Sequence, residues 1–560
     1  MDNQNQPSSS YSSPSAPPGN SISRQSLAAR DIVDDIWTSL NLPRGALSSL
    51  SLPGHDQPAV PSSFKIGLLA QSSIAVSALA AALLSTTRPG RDPDGAAASS
   101  PRVRVPLEHA VIEFKSERLY ALAGGPHPPP VSRALGGLHA AADGFVRVHD
   151  AFPNHVAGTL RLLGLPRDAT REDVAARIST WKGVELETAA TEGGDVAIYA
   201  LRSYEQWDAL PQAAALDDAP ISLAQISPTP VPRAMPMPGN ARKCLSGLRV
   251  VEMSRVIAAP VAGRTLAAHG ADVLWVTSAN LPSLPSLDRD LARGKRSIQL
   301  DIHSPDDKRR LLELLKTCDV FIQGFRPGSL AAYGLSPPDL ARANPGIVCA
   351  SLSTFGPRGP WAHRRGFDSL VQTCSGMNVS EAAHAGRLEA ARPTPCQALD
   401  HASGHLLAAG IAAALYRRGT QGGSWQVDVS LAGVMKYLRS LGQYPGDTGF
   451  ACADVDEPAD APAEMLETRE TGFGRMTAVR HSAEVEGMEV GWENAIRVAY
   501  YQGNNSEVSF ADPGGHSDHC FSYLAQTLMC HADVGVMTTT WQEEAGVHGQ
   551  FQLDQAVSEL

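Results

Sequence analysis

None of the eight cysteines stands in a CxxC pair, and Cys244, Cys318, Cys349, Cys374, Cys396, Cys452, Cys520 and Cys530 are simply scattered. That argues against a disulfide framework and fits free thiols in a reducing compartment. Positive charge is also short: 47 Lys and Arg face 58 Asp and Glu, a formal net charge of −11. With no strongly basic domain, a nucleic-acid partner is not expected. A secretory leader is missing too, since the N-terminus is rich in Ser, Pro, Asn and Gln. The expected location is cytoplasmic, with mitochondrion and peroxisome left open; Ser558-Glu-Leu560 lacks the Lys of the peroxisomal tripeptide. The uncharged run Leu68 to Leu84 is interrupted by Gln71, Ser72 and Ser73 and dominated by Ala. It reads as a core helix, and no membrane association is expected. His516, His519, Cys520, Cys530 and His531 are metal-capable types, but their spacing fits no standard zinc framework, so no metal is expected.

What is present is a chain of 560 residues, 43% hydrophobic, long enough for two or more domains with sizeable cores. Residues 1–62 read as a disordered or partly helical extension, with helical spacing only over Leu27 to Leu40. Residues 63–225 alternate short strands and helices: Gly144 to His149 and Val196 to Tyr199 as strands, Arg171 to Trp181 and Leu201 to Leu210 as helices. Residues 226–243 form a linker, because Pro228, Pro230, Pro232, Pro236 and Pro238 block both helix and ladder. Residues 244–441 carry a regular rhythm. Strands are expected at Leu248 to Glu252, Ala271 to Val276, Asp319 to Ile322 and Ile347 to Ser351. Helices fall between them, including Pro305 to Thr317 with Ser304 as N-cap and Pro305 at its first position. This rhythm predicts an α/β fold with a doubly wound parallel sheet. Residues 442–497 would wrap around it, and 498–560 show no steady period.

Within that module Asp400 opens an otherwise apolar helical segment, His405 to Tyr416. A buried carboxylate without a partner is costly, so an acid there needs a reason. The structural reading is an N-cap, where helix N–H groups stabilise negative charge. Nearby Cys396 reads as a small packing residue, although a nucleophilic role is conceivable. Three loops follow strand ends: Ser254 to Pro260, Arg293 to Ser297 and Gly324 to Gly328. Lys295, Arg296 and Arg326 give this acidic chain a local basic cluster there, suited to a phosphate-bearing ligand.

The ordered pieces Leu245-Ser-Gly-Leu-Arg-Val-Val-Glu-Met-Ser-Arg-Val-Ile-Ala-Ala-Pro260, His269-Gly-Ala-Asp-Val273, Gly294 to Asp301, Asp319 to Gly328, Gly366 to Gly376, Asp400 with Gly404, and Gly422 to Ser430 resemble the class III coenzyme A transferases. This is the CaiB/BaiF type, which includes formyl-CoA and carnitine CoA-transferases and alpha-methylacyl-CoA racemase. The resemblance implies acyl-CoA and carboxylic acid substrates, with Asp400 as a covalent nucleophile forming an aspartyl mixed anhydride. It implies a coenzyme A site lined by Ala258, Leu300, Phe325, Arg326, Arg365 and Phe367, beside the basic Lys295 and Arg296.

Departures narrow the implication. Racemases of the family place His where Phe367 stands, and Phe cannot move a proton. Asp368, next to it, reads as a turn-orienting group. Ile257 replaces a polar side chain of formyl-CoA transferases, which disfavours a small polar acyl group. The stretch from Ala142 to Gln212 resembles the family's smaller α+β domain but precedes the nucleotide-binding half. Leu68 to Leu84 faintly echoes His405 to Tyr416, with Leu68 at the position of Asp400. The expected architecture is therefore a fused or rearranged double module, as a homodimer or an intramolecular pseudo-dimer. Three functions stay open: CoA transfer, isomerisation or racemisation of an acyl-CoA, and non-catalytic acyl-CoA binding.

Overall fold

A computed structural model describes residues 24–55, 57–88, 100–123, 135–193, 196–228, 237–239, 241–492 and 497–498. The chain divides into two compact units, residues 1–514 and 515–560, and the described residues all lie in the first. The expectations for residues 1–19, most of the proline-rich linker and the tail from 499 onward fall outside them.

The centre of the molecule is a mixed α/β layer. Its strands, in chain order, are β1 (Ile221–Ser227), β2 (Arg249–Met253), β3 (Asp272–Thr277), β4 (Arg296–Gln299), β5 (Val320–Gln323), β6 (Val348–Ser353), β7 (Ser424–Ser430) and the two-residue β8 (Arg497–Val498). They lie side by side in the order β8-β4-β3-β2-β5-β6-β7-β1. Every neighbouring pair is parallel except β7 with β1. The chain winds outward from β2 to β4 on one side, then returns to β5 beside β2. That reversal creates a switch point, and ligands of such sheets bind outside the carboxyl ends of the strands there. Strand residues such as Val250, Val251 and Ile322 are buried on both faces, as parallel sheets covered by helices require.

Local signals place the helices. Ser304 Oγ accepts the Asp307 N–H and Pro305 starts the helix Pro305–Thr317, as the sequence predicts. The expected Leu201 to Leu210 helix is shorter, Tyr204–Asp208, because a capping box between Ser203 and Gln206 fixes its start. The antiparallel edge strand β1 was not expected; its alternation is weak, and its last residues overlap the start of the expected linker.

Two long Ala-rich helices, α1 (Ile66–Thr86) and α4 (Ala398–Gln421), pack along each other and share one large core. Small side chains let their backbones approach closely. α1 is long and apolar enough to cross a membrane, but its apolar stretch is entirely buried inside the protein. α2 (Ala258–Ala268) packs across α4 at Gly404, where a Cβ would lie 2.5 Å from the Ala258 carbonyl oxygen and from Val261 Cβ. A smaller α+β unit has its own core: strands Gly137–Ala141, Gly144–Val148 and Ile198–Ala200 pair antiparallel and carry three helices.

The front and back of the chain interlace. Val103–Arg104 pairs with Glu484–Val485, and Tyr120–Leu122 pairs with Gly474–Val479.

Candidate active site

Asp400 is the third residue of α4, not its cap; Gln397 occupies the cap position and makes no side-chain capping bond. The capping role passes to α3 (Asp368–Cys374). Asp368 Oδ2 accepts the backbone N–H groups of Leu399 at 2.8 Å and of Asp400 at 3.0 Å. Its other oxygen accepts from Gln372. Asp368 thus holds the first turn of α4 from a neighbouring element, in keeping with its expected orienting role.

The Asp400 side chain is 7% exposed, and among the described residues no hydrogen bond or ion pair reaches its carboxylate. Burial pushes its carboxyl well above the ordinary range, and the nearby acids Asp368 and Glu117 push it further. Asp368 is raised to about 6, chiefly by burial, against the lowering effect of the bonds from Gln372, Asp400 and Leu399. Burial also raises Glu117, but its hydrogen bond and charge interaction with His401 outweigh this and hold it below its usual value. Two buried acids so close together oppose each other's ionisation. Cys396, fully buried, has its thiol pushed up to about 12 and stays protonated, consistent with a packing role.

A cleft of about 260 Å³ opens where the switch point predicts, at the carboxyl ends of β2, β3, β4 and β5. Met253, Ser254, Thr277, Ser278, Leu300 and Phe325 line it, so two of the expected ligand-binding residues meet there. Val256, also on its wall, has φ of 70°, a strained conformation for a β-branched residue in the loop joining β2 to α2. Asp288 on the same wall is raised to about 7 by burial, with Lys295 and Arg255 opposing the shift.

The other expected residues separate. Arg326 and Arg365 share a small hollow with His363 and Tyr199. Lys295 does not present its amine to the cleft. It is 2% exposed, 2.9 Å from the wholly buried Glu252, and it donates to the Pro260 carbonyl. Arg296 is bidentate to Asp272. Ala258 starts α2 against Gly404. Phe367 stacks face to face on His149 of the smaller unit, centroids 3.7 Å apart, with His155 and Phe152 against its edge. Asp400 lies outside the lining of the cleft.

Several residues around the site were missed. Arg255 bonds the Pro282 carbonyl and lies over the Phe152 ring, linking the smaller unit to the cleft wall. Arg255 lies just past a strand end within Leu245 to Pro260, a position the sequence marks; Phe152 and His149 carry no sequence signal for this contact. Glu117 and Phe114, from the front of the chain, reach His401 beside Asp400.

Residues 245–471 match the model of CoA-transferase family III. Residues 493–554 match a second family, mycotoxin biosynthesis protein UstYa. The probable fatty acyl-CoA transferase Rv3272 of Mycobacterium tuberculosis is 33% identical over 236 residues, 40% of this chain and 59% of that protein. The acetyl-coenzyme A transferase nodX of Hypoxylon pulicicidum is 31% identical, over 40% of this chain and 38% of its own length. A formyl-CoA:oxalate CoA-transferase of Rhodopseudomonas palustris is 34% identical, over 35% of this chain and 48% of its own. The crystal structure of Rv3272 aligns with 33% identity and a TM-score of 0.33, covering 35% of this chain and 58% of that one. The chain thus spans about half the length of the curated relatives it matches. The family III stretch holds the sheet from β2 to β7, both α2 and α4, and Asp400.

Proposed function

We propose that the protein moves coenzyme A from an acyl-CoA thioester to a carboxylic acid, with Asp400 as the covalent nucleophile. The observation that carries the reading is a carboxylate fixed by its backbone at the start of a buried helix, yet unpartnered at its own oxygens among the described residues. The family match over residues 245–471 supports CoA thioesters as the substrate class.

In this reading the Asp400 carboxylate attacks the thioester carbonyl, the C–S bond breaks, and CoA leaves as a thiolate. The thiolate then attacks the aspartyl carbonyl of the anhydride, releasing the first acid and leaving CoA on the enzyme as a thioester. The acceptor carboxylate attacks that thioester, and the returning thiolate takes up the new acyl group and frees Asp400. The residues present fit an acyl-CoA. The cleft at the strand ends offers apolar walls for the nucleotide end, and Arg255 on its wall would be a phosphate partner, while Arg326 and Arg365 stand apart in their own hollow. The thioester end would run along Val256 to Ala258 toward α4. Burial of Asp400 excludes water, which would hydrolyse an anhydride. The smaller unit, stacked on Phe367, would close the site over the acyl group. The front half of the chain would take the place of a partner subunit, making one chain a pseudo-dimer.

A second reading draws on His149. Its ring lies against Phe367, where racemases of the family carry His, so isomerisation through His149 is the alternative. Incubation with a panel of acyl-CoAs followed by intact mass spectrometry separates the two. Transfer leaves a hydroxylamine-sensitive adduct on Asp400; isomerisation washes deuterium into the α-position with no acceptor present. Neither outcome appearing would leave binding alone and end both readings.

A further inference from the structure

We propose that Glu117, contributed by the front half of the chain, is a positioning residue for Asp400 and acts through His401. The inference rests on Asp400 being the nucleophile. His401 follows Asp400 in the same helical turn, and its Nε2 lies 2.9 Å from Glu117 Oε2. Its buried ring stacks on Phe114, centroids 5.4 Å apart, and Phe114 also stacks on His405 one turn further along. Arg118 donates to the Pro395 carbonyl just before α4 and to Glu117 itself. Residues 114–118 therefore grip the stretch from Pro395 to His401 at both ends, while Asp368 holds its middle from the opposite side.

The gripping segment is itself tied down. Glu113 accepts from the Ser482 backbone and side chain and pairs with His481. Lys115 pairs with Asp454 and Asp456, and Ser116 donates to Asp290. Burying this many charged groups is expensive unless each is matched, so a simple packing strap would be cheaper built from apolar residues. Glu117 does one thing more than its neighbours: bonded to His401 next to Asp400, its charge also acts on the Asp400 carboxyl. The charged and titratable groups around Asp400 are Asp368 on α3 and Glu117, His401 and Arg118, with Arg147 of the smaller unit acting on Asp368. Glu117 and Asp368 both oppose ionisation of Asp400, and only Glu117 comes from outside the family III stretch.

The test is the rate of Asp400 adduct formation from one acyl-CoA, followed by intact mass against pH. Glu117→Gln keeps an acceptor for His401 and removes the charge. Its ionisation limb should move to lower pH by about half a unit or more, with a plateau rate within about threefold of wild type. Glu117→Ala removes both, and its plateau should fall by about tenfold or more, as misplacement of a reacting group does. In a His401→Ala background, Glu117→Ala should lower the plateau no further, because the positioning effect runs through His401, whereas the shift of the limb, which comes from Glu117's charge on Asp400, should persist. A Glu117→Gln limb that coincides with wild type overturns the proposal, as does a loss confined to KM. A Glu117→Gln protein that does not fold makes the residue a structural strut and overturns it equally. If Glu117→Ala alone fails to fold, the Glu117→Gln profile decides. Absence of any adduct in wild type rejects the nucleophile reading instead, and this inference with it.

Discussion

Asp400 shows how a buried acid is kept in place at the cost of stability. Folded, its proton is held more tightly than in the unfolded chain, where a carboxyl titrates near about 4. A folded pKa raised in this way contributes stability that is complete below the unfolded value and is lost as pH rises through the folded value. Asp400→Asn carries no such charge. Its melting temperature should therefore exceed that of wild type by a margin that is larger at neutral pH than at acidic pH. The same variant should lose adduct formation and CoA exchange by at least about a thousandfold, as covalent catalysis does without its nucleophile. Equal melting curves at both pH values would contradict the buried, unpartnered carboxylate. Lys295 and Glu252 make the opposite case: Lys295→Met should cost about 3–5 kcal/mol by leaving Glu252 buried without its partner, measured by denaturant unfolding.

At the scale of elements, the crossing of α2 and α4 decides where Asp400 stands. In an exposed helix, Gly to Ala would stabilise by about 1 kcal/mol. At Gly404 the added methyl would meet backbone oxygen at 2.5 Å, so clash outweighs propensity. Gly404→Ala should destabilise by about 1–3 kcal/mol and slow adduct formation as the helices part. Denaturant melts and the mass assay together check this; a variant as stable as wild type would mean that the crossing tolerates the shift. The helix α4 itself was legible from its Ala-rich pattern, but its start was not. No nearby residue signals that Asp368, 32 positions earlier, supplies the cap. The basic turn Arg293 to Ser297 points to a ligand by its charge, its glycine and its place near strand ends. Lys295 instead turns inward to buried Glu252, and Arg296 is taken up by the partly exposed Asp272, choices that residue type cannot reveal.

Among the described residues, the front and back of the first unit are held together by interlaced segments. α1 covers α4, and two small sheets join residues 103–104 and 120–122 to strands from the back of the chain. A protein of residues 244–492 alone would expose the α4 face that α1 covers, an apolar surface large enough to drive association. It should be insoluble or aggregated, and co-expression with residues 24–228 should restore a soluble complex; size-exclusion chromatography reads the outcome. A soluble, monomeric 244–492 fragment would show that the halves fold independently.

Sequence alone pointed to the doubly wound α/β core, four of its parallel strands and the family III pattern, because hydrophobic period, caps and glycine turns are local; β1 and β4, the latter within a stretch that reads as a loop, came only from the fold. The three-dimensional packing decided what surrounds Asp400, namely the Asp368 cap and, through His401, Glu117 arriving from 283 residues away, and it set Phe367 under His149. Contacts between distant segments depend on which surfaces burial brings together, and a side chain's identity does not say what it will be buried against.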